Sequence, residues 1–333
     1  MKRQSFLFDR ITEYGNIRLA FLKAMRGNRE SPQARLFCQN TDANLNTLRE
    51  RLATLDCGWG GYRSFIIHDP KLRTISTAPF PQRIMHHAII NVIGEVLERP
   101  LVHHCYACRT GKGTHAAVMY AFKQCKSNPY FLKLDVRKYF DSIDHEILKL
   151  QVRRLIKDRR VLTLLDGIID SYETSPGKGV PIGNLTSQFF ANMHLAWMDH
   201  FMLEKLNAAA YCRYMDDFVL WSDSKECLRD NYRNIHNYAN HDLGLELKPP
   251  VFGSAACGVP FLGFLVKDRG IYLMQKSKRR VTARMAELSA LIECGSISEE
   301  SAAERTLSVL AAISLARVNG IKKTLCKKIC NNT

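Results

Sequence analysis

Several absences bound what this chain can be. No apolar run in its 333 residues approaches the roughly 20 needed to cross a bilayer. No signal peptide opens it, and its eleven cysteines lack the regular short spacing of a secreted disulfide framework. The expectation is therefore a cytoplasmic protein, kept reduced, with no membrane partner. Internal repeats and low-complexity stretches are also missing. The closest approach to a metal-finger pattern is Cys105-Tyr-Ala-Cys108, preceded by His103 and His104. It has no second ligand pair downstream, so structural cysteines are the simpler reading.

Acidic charge is in short supply: 32 Asp and Glu face 48 Lys and Arg, for a net charge of +16. The excess recurs at 23–35, 149–160, 276–284 and 317–328 instead of collecting in a tail. Cationic charge dispersed over a folded chain suits a long polyanion, most economically nucleic acid; solvated basic faces are the competing reading. At 46% hydrophobic, the chain can build a real core and is too long for one small domain.

Apolar spacing predicts helices over most of 5–56, with Ile17, Phe21 and Ala24 on one stripe and Leu45, Leu48, Leu52 and Leu55 on another. A hairpin is expected over 62–76, where Lys71 and Arg73 share one strand face that could hold a triphosphate or simply be an exposed edge. Helices follow at 83–98 and 145–172. Gly183 stands just before a helix striped by Phe190, Met193, Trp197 and Phe201. A glycine there lets another backbone or a ligand come close, and the helix start favours anions. Another helix is expected near 224–242, and Phe261-Leu-Gly-Phe-Leu-Val266 reads as one arm of a further hairpin. The last sixty residues read as a basic helical domain, with Val281, Met285, Leu288 and Ile292 inward and Lys276, Lys278, Arg279, Arg280 and Arg284 outward.

Two stretches carry chemistry. In Tyr211-Cys-Arg-Tyr-Met-Asp-Asp-Phe-Val-Leu-Trp221, apolar runs flank Asp216 and Asp217, which marks the tight turn of a hairpin. Adjacent carboxylates on a rigid turn repel, and a divalent cation is the usual relief; a solvated acidic turn is the bland alternative. Upstream, Leu132, Leu134 and Val136 alternate onto one strand face, which turns Asp135 to the other with no evident local cation except a metal. Asp144 reads as the N-cap of the next helix, and Asp141 is ambiguous.

In order, the chain presents Leu134-Asp-Val-(x)3-Phe140-Asp-Ser-Ile143, a glycine loop before a helix, Tyr214-Met-Asp-Asp217, Gly244-Leu…Lys248 and Phe261-Leu-Gly263. This order resembles the reverse transcriptase polymerase domain over essentially the whole chain. The segment Tyr106-Ala-Cys-Arg109…Gly113-Thr-His115 resembles the second block of group II intron-like bacterial enzymes, which makes Arg109 and Lys112 candidate nucleic-acid contacts. Those enzymes and retrons carry Gln-Gly-x-x-x-Ser-Pro before the corresponding helix. Here the stretch is Ile182-Gly-Asn-Leu-Thr-Ser-Gln188. That form resembles the reverse transcriptases of diversity-generating retroelements, and the absence of a maturase, endonuclease or integrase extension agrees.

The resemblance implies an α+β right-hand polymerase: N-terminal helices and fingers over 1–130, palm over 131–144 and 179–270, a helical insertion over 145–178 and a helical thumb over 271–333. It implies that Asp135 and Asp216, with Asp217 as a weaker third and the Val136 carbonyl alongside, hold two Mg²⁺ ions, for which Mn²⁺ could substitute. Lys71 and Arg73 would grip the incoming dNTP, with Ile182, Gly183 and Gln188 beside it. Phe140 would exclude a 2′-hydroxyl by overpacking, and Lys248 would be a candidate proton donor to pyrophosphate. The implied partners are a template RNA, the RNA–cDNA duplex and a small basic accessory variability protein. Error-prone copying at template adenines would follow. Two alternatives stay open: another bacterial reverse transcriptase, of group II intron, retron or defence type, and a catalytically silent RNA-binding scaffold.

Overall fold

The computed structural model describes residues 3–68, 72–208 and 210–317. Four helices open the chain, α1 (Phe8–Ile11), α2 (Tyr14–Met25), α3 (Pro32–Cys38) and α4 (Thr41–Thr54), followed by strands β1 (Arg63–His68) and β2 (Leu72–Thr77). Then come α5 (Phe80–Glu98), α6 (Thr114–Ser127), β3 (Tyr130–Asp135), α7 (Tyr139–Ser142), α8 (His145–Leu155) and α9 (Arg159–Asp170). Helices α10 (Leu185–His194) and α11 (Ala196–His200) run into a π-helical turn, Phe201–Lys205. The chain continues through β4 (Ala210–Tyr214), β5 (Asp217–Ser222), α12 (Lys225–Asp242), β6 (Val251–Ser254), β7 (Val259–Phe261), β8 (Phe264–Lys267), β9 (Gly270–Leu273), α13 (Gln275–Glu293) and α14 (Glu299–Ile313).

Contacts divide the chain into two units. One comprises Met1–His103, Val136–Lys205 and Asn234–Lys248; the other His104–Asp135, Leu206–Arg233 and Pro249–Thr333. In the first unit α2 lies along α5. Small residues (Ala20 and Ala24 on α2, Ala88 on α5) are buried on these helices beside Ile17, Ile84, Ile89 and Ile93, which permits close axial approach. Side-chain caps set several helix starts: Ser31 accepts from Ala34 N at 3.2 Å, and Asp144 accepts from Glu146 N and Ile147 N at 3.0 and 3.1 Å, the cap expected from the sequence. Asp158 caps α9 and also accepts from Leu7 N and Phe8 N at 3.0 and 3.1 Å, tying the first helix to the ninth.

The second unit holds two antiparallel sheets, ordered β4-β5-β3-β6 and β7-β8-β9 among the described residues. Strand β3 buries Phe131, Leu132 and Leu134 and leaves Lys133 and Asp135 half-buried, the alternation that the sequence predicts. One core joins α6 (Ala117, Val118, Ala121), the strands (Phe131, Val219, Trp221, Phe261, Val266) and the last helices (Met285, Leu288, Val309, Ile313). The stretch 261–266, expected as one hairpin arm, is instead divided by a turn: Leu262 and Gly263, at φ of 50° and 85°, make the two-residue loop between β7 and β8 because both adopt left-handed backbone.

Candidate catalytic centre

Strands β4 and β5 pair from Ala210↔Trp221 to Tyr214↔Asp217, so their loop is only Met215 and Asp216. Met215 sits at φ 54°, the left-handed backbone that the first position of such a tight hairpin loop requires. The expectation that both carboxylates occupy the turn is half right. Asp216 is in the loop, whereas Asp217 is the first residue of β5, because the strand pairing begins one residue earlier than the acidic run suggests. Apolar neighbours make this hairpin rigid: Tyr211, Cys212, Phe218, Val219 and Leu220 are buried. Arg213 is fully buried and donates from Nη1 to the Met215 carbonyl at 3.1 Å, bracing the loop from below. Nothing in the sequence reading singled out Arg213, although a charged residue inside an apolar strand run is itself a signal.

Strand β3 pairs antiparallel with β5 in a register that sets Asp135 opposite Asp217. Two segments more than eighty residues apart thus bring Asp135 beside the acidic loop. Asp217 is pushed up to about 6, chiefly by burial, with Lys133 opposing and the charges of Asp135 and Asp216 adding to the rise. The three carboxylates are therefore close enough to feel one another. A cation does lie nearby: Lys133, two residues before Asp135, donates from Nζ to Asp217 Oδ2 at 2.8 Å and to the Pro260 carbonyl at 2.8 Å. Its partner is Asp217 on β5, a pairing that the spacing along β3 alone does not reveal. Asp217 Oδ1 is buried without a hydrogen-bond partner among the described residues. An orphaned carboxylate oxygen in a cluster of anions is a group that a hard divalent cation would satisfy, so the residues fit such an ion. Among the described residues, however, no three His, Cys, Asp or Glu side chains are arranged as a ready-made metal group, the Cys105–Cys108 segment included.

The remaining predicted residues on the nucleotide side belong to the first unit and are described within it. Val136 is fully buried and bridges to Leu247, immediately before the half-buried Lys248; Arg137 N donates to the Glu246 carbonyl at 2.8 Å. Phe140 is half-buried on α7, its ring edge-on to Tyr139, and its carbonyl accepts from Val180 N at 2.8 Å. Arg73 is exposed on β2, paired with Ile67; Lys71 lies outside the described residues. The loop before α10 docks on β2. Ser76 N donates to the Ile182 carbonyl at 2.7 Å, and Asn184 accepts from Ala78 N at 3.0 Å and donates to the Ser76 carbonyl at 3.2 Å. Gly183, at φ 117°, permits this approach, since a Cβ there would lie 2.7 Å from Ile75 Cγ2. The structure thus joins the strand of Arg73 to Ile182 and Gly183, and adds Asn184, which the sequence reading passed over. Gln188 is exposed one turn into α10.

The predicted nucleic-acid contacts lie in the second unit. Arg109 donates to the Cys105 carbonyl at 3.2 Å, and Lys112 stands over the Tyr106 ring, 4.9 Å from its centroid. On α13, Lys276, Lys278, Arg279, Arg280 and Arg284 are all exposed while Met285 and Leu288 are buried. The expected basic run at 317–328 falls outside the described residues after Arg317.

A family model described as reverse transcriptase (RNA-dependent DNA polymerase) matches residues 68–264, more than half of the chain. Protein YkfC of Escherichia coli K12 is 26% identical over 249 residues, 61% of this chain and 65% of its own length. The retron Ec73 reverse transcriptase of E. coli is 27% identical, covering 49% of this chain and 56% of that protein. The group II intron-encoded protein LtrA of Lactococcus lactis is 22% identical over 50% of this chain, which spans 27% of LtrA. The chain thus spans less than two thirds of each of these relatives. Among solved structures, apo telomerase from Candida tropicalis superposes with a TM-score of 0.50 at 12% identity, over 68% of this chain and 53% of that one. At that identity the likeness is one of fold: the α+β architecture of right-hand polymerases.

Proposed function

The chain belongs to the reverse transcriptase family, and on that premise we propose that it is an RNA-directed DNA polymerase that makes error-prone cDNA for targeted gene diversification. The observation that carries the chemistry is the β3–β5 register, which sets Asp135 opposite Asp217 beside the Asp216 loop. In-line phosphoryl transfer needs carboxylates converging from separate strands. Asp135, Asp216 and Asp217 would hold divalent metal there, which would supply activation of a primer 3′-hydroxyl and charge neutralisation at the triphosphate.

The chain's own residues supply the rest. Asp135 and Asp216, with Asp217 and the Val136 carbonyl, form the anionic seat. Lys71 and Arg73 take the incoming phosphates, Arg73 with a bidentate fork. Phe140 excludes the 2′-hydroxyl by occupying its space, and Lys248 gives a proton to the departing pyrophosphate. The exposed cations of α13, within the segment assigned as thumb, follow the template–primer duplex through its phosphates, together with Arg109 and Lys112, so binding should weaken steeply with salt.

The diversification reading rests on Ile182-Gly-Asn-Leu-Thr-Ser-Gln188. Ile182 offers shape where a glutamine amide would hydrogen-bond, so less binding energy depends on correct pair geometry and fidelity falls. On this reading an accessory variability protein assists, and adenines of a template-repeat RNA are miscopied. The test is cDNA synthesis on template RNA with and without the accessory protein, sequencing the products of the native chain and of Ile182→Gln. The substitution should lower the error frequency, and an unchanged spectrum sinks the role of Ile182. A second reading, a retron or group II intron type of enzyme, is favoured by the identity to the Ec73 and LtrA proteins. A neighbouring template/variable repeat pair in the genome excludes it.

A further inference from the structure

Lys133 has no part in the assignments above, yet it is the cation set among the carboxylates of β3 and β5. Its side chain is only 18% exposed, and that of Asp217 22%. Two of its three ammonium donors are directed, at 2.8 Å each, to Asp217 Oδ2 and to the Pro260 carbonyl in the middle of β7, and Nζ lies 5.8 Å from the Phe261 ring centroid. The hairpin that β7 begins is fastened in turn to α13. The Gly263 carbonyl accepts from Met274 N at 3.1 Å and from Ser277 Oγ at 2.8 Å, and Gly263 is left without a Cβ where one would lie 2.9 Å from Ser277 Oγ. A continuous chain of contacts therefore runs from the start of β5, through Lys133 and β7–β8, to the helix that carries the exposed cations.

We propose that Lys133 is a positioning residue of the carboxylate centre: it anchors Asp217 against β7 and, as a fixed cation beside the acidic loop, sets how tightly that centre binds divalent metal. The physical ground is compensation. With Lys133 present, the charge of Asp217 is already compensated at 2.8 Å. Without it, Asp217 is a buried charge left uncompensated beside Asp135 and Asp216, and an added cation relieves it. The second consequence is geometric, because an ammonium shared between a carboxylate and a strand carbonyl fixes the start of β5 relative to β7. The proposal rests on the polymerase reading for the purpose of the centre, though not for the anchor itself.

The test is a double-mutant cycle on Mn²⁺ affinity, read by electron paramagnetic resonance on the full chain free of nucleic acid. Lys133→Met should tighten Mn²⁺ binding by about fivefold or more. In an Asp217→Asn background the same substitution should change it by less than about twofold, because the charge it uncovers is gone. Lys133→Gln serves in both backgrounds where the Met variant fails to fold. Primer extension supplies the second readout, with kcat falling about tenfold for Lys133→Met. Unchanged or weaker Mn²⁺ binding on loss of Lys133, or equal tightening in both backgrounds, overturns the proposal. A native chain that passes the metal cycle but extends no primer refutes the polymerase reading and leaves the role of Lys133 standing.

Discussion

Two hairpins in this protein are built alike and treated in opposite ways. Strands β4 and β5 bury nearly every residue, are flanked by β3, and end on a two-residue loop braced by a buried arginine. Strands β1 and β2 pair in equally regular register, but every residue of β1 is exposed; Ile66 is 66% and Leu72 67% open to solvent. An apolar hairpin in water gains little from its own pairing. Its attachment is instead at the base, through Ser76 and Ala78 on the loop from Ile182 to Asn184. The contrast is one of support: the acidic residues sit on a hairpin packed on both sides, whereas Arg73 stands on one held only at its base.

The contrast can be broken by substitution. Phe218→Ala in β5 should cost about 3–5 kcal/mol of stability in denaturant unfolding, because a fully buried ring leaves a cavity. A loss below about 1 kcal/mol would mean the packed hairpin is not the anchor described here.

Acid should loosen the base of the open hairpin. The loop leading to β1 rests on α5, where Trp59 lies against the buried His86 at 5.3 Å between ring centroids and Gln82 donates to the Gly58 carbonyl at 2.7 Å. Burial pushes His86 down to about 3 and His87 down to about 4. With folded values below the ordinary 6.5, the unfolded chain binds more protons, so stability is full above pH 6.5 and falls as pH drops toward 3–4. The slope is at most about 1.4 kcal/mol per pH unit for each histidine. His86→Phe should flatten that dependence in acid titrations followed by tryptophan fluorescence; an unaltered slope would clear His86 of the effect.

Gly183→Ala is expected to cost about 1–3 kcal/mol through strain at φ 117° and the contact with Ile75. Faster hydrogen exchange should be confined to the β1–β2 base, and exchange spread evenly over the chain would contradict the docking role. Ile66→Ser should be the mildest, within about 0.5 kcal/mol in stability. A larger loss of stability would show that β1 is packed after all.

Much of this was legible in the sequence where the signal is local. The alternation of Leu132, Leu134 and Val136, the Asp144 cap and the glycine at 183 each follow from chemistry within a few residues. What escaped depends on register between distant segments. Lys133 looks like a solvated strand lysine until β3 is paired with β5 and Pro260 is brought to it. Likewise Asp217 reads as half of a turn until the strands show that pairing starts at Tyr214. Asn184 was passed over because its partners, Ser76 and Ala78, lie more than a hundred residues upstream.

On the proposed reading, Asp135 and the acidic loop form one catalytic seat. Extension of a DNA primer annealed to an RNA template, with Mg²⁺ and all four dNTPs, should proceed with the native chain. With Asp135→Asn it should fall by about 10³-fold or more while thermal unfolding stays within a few degrees. Equal extension by the two proteins would contradict it.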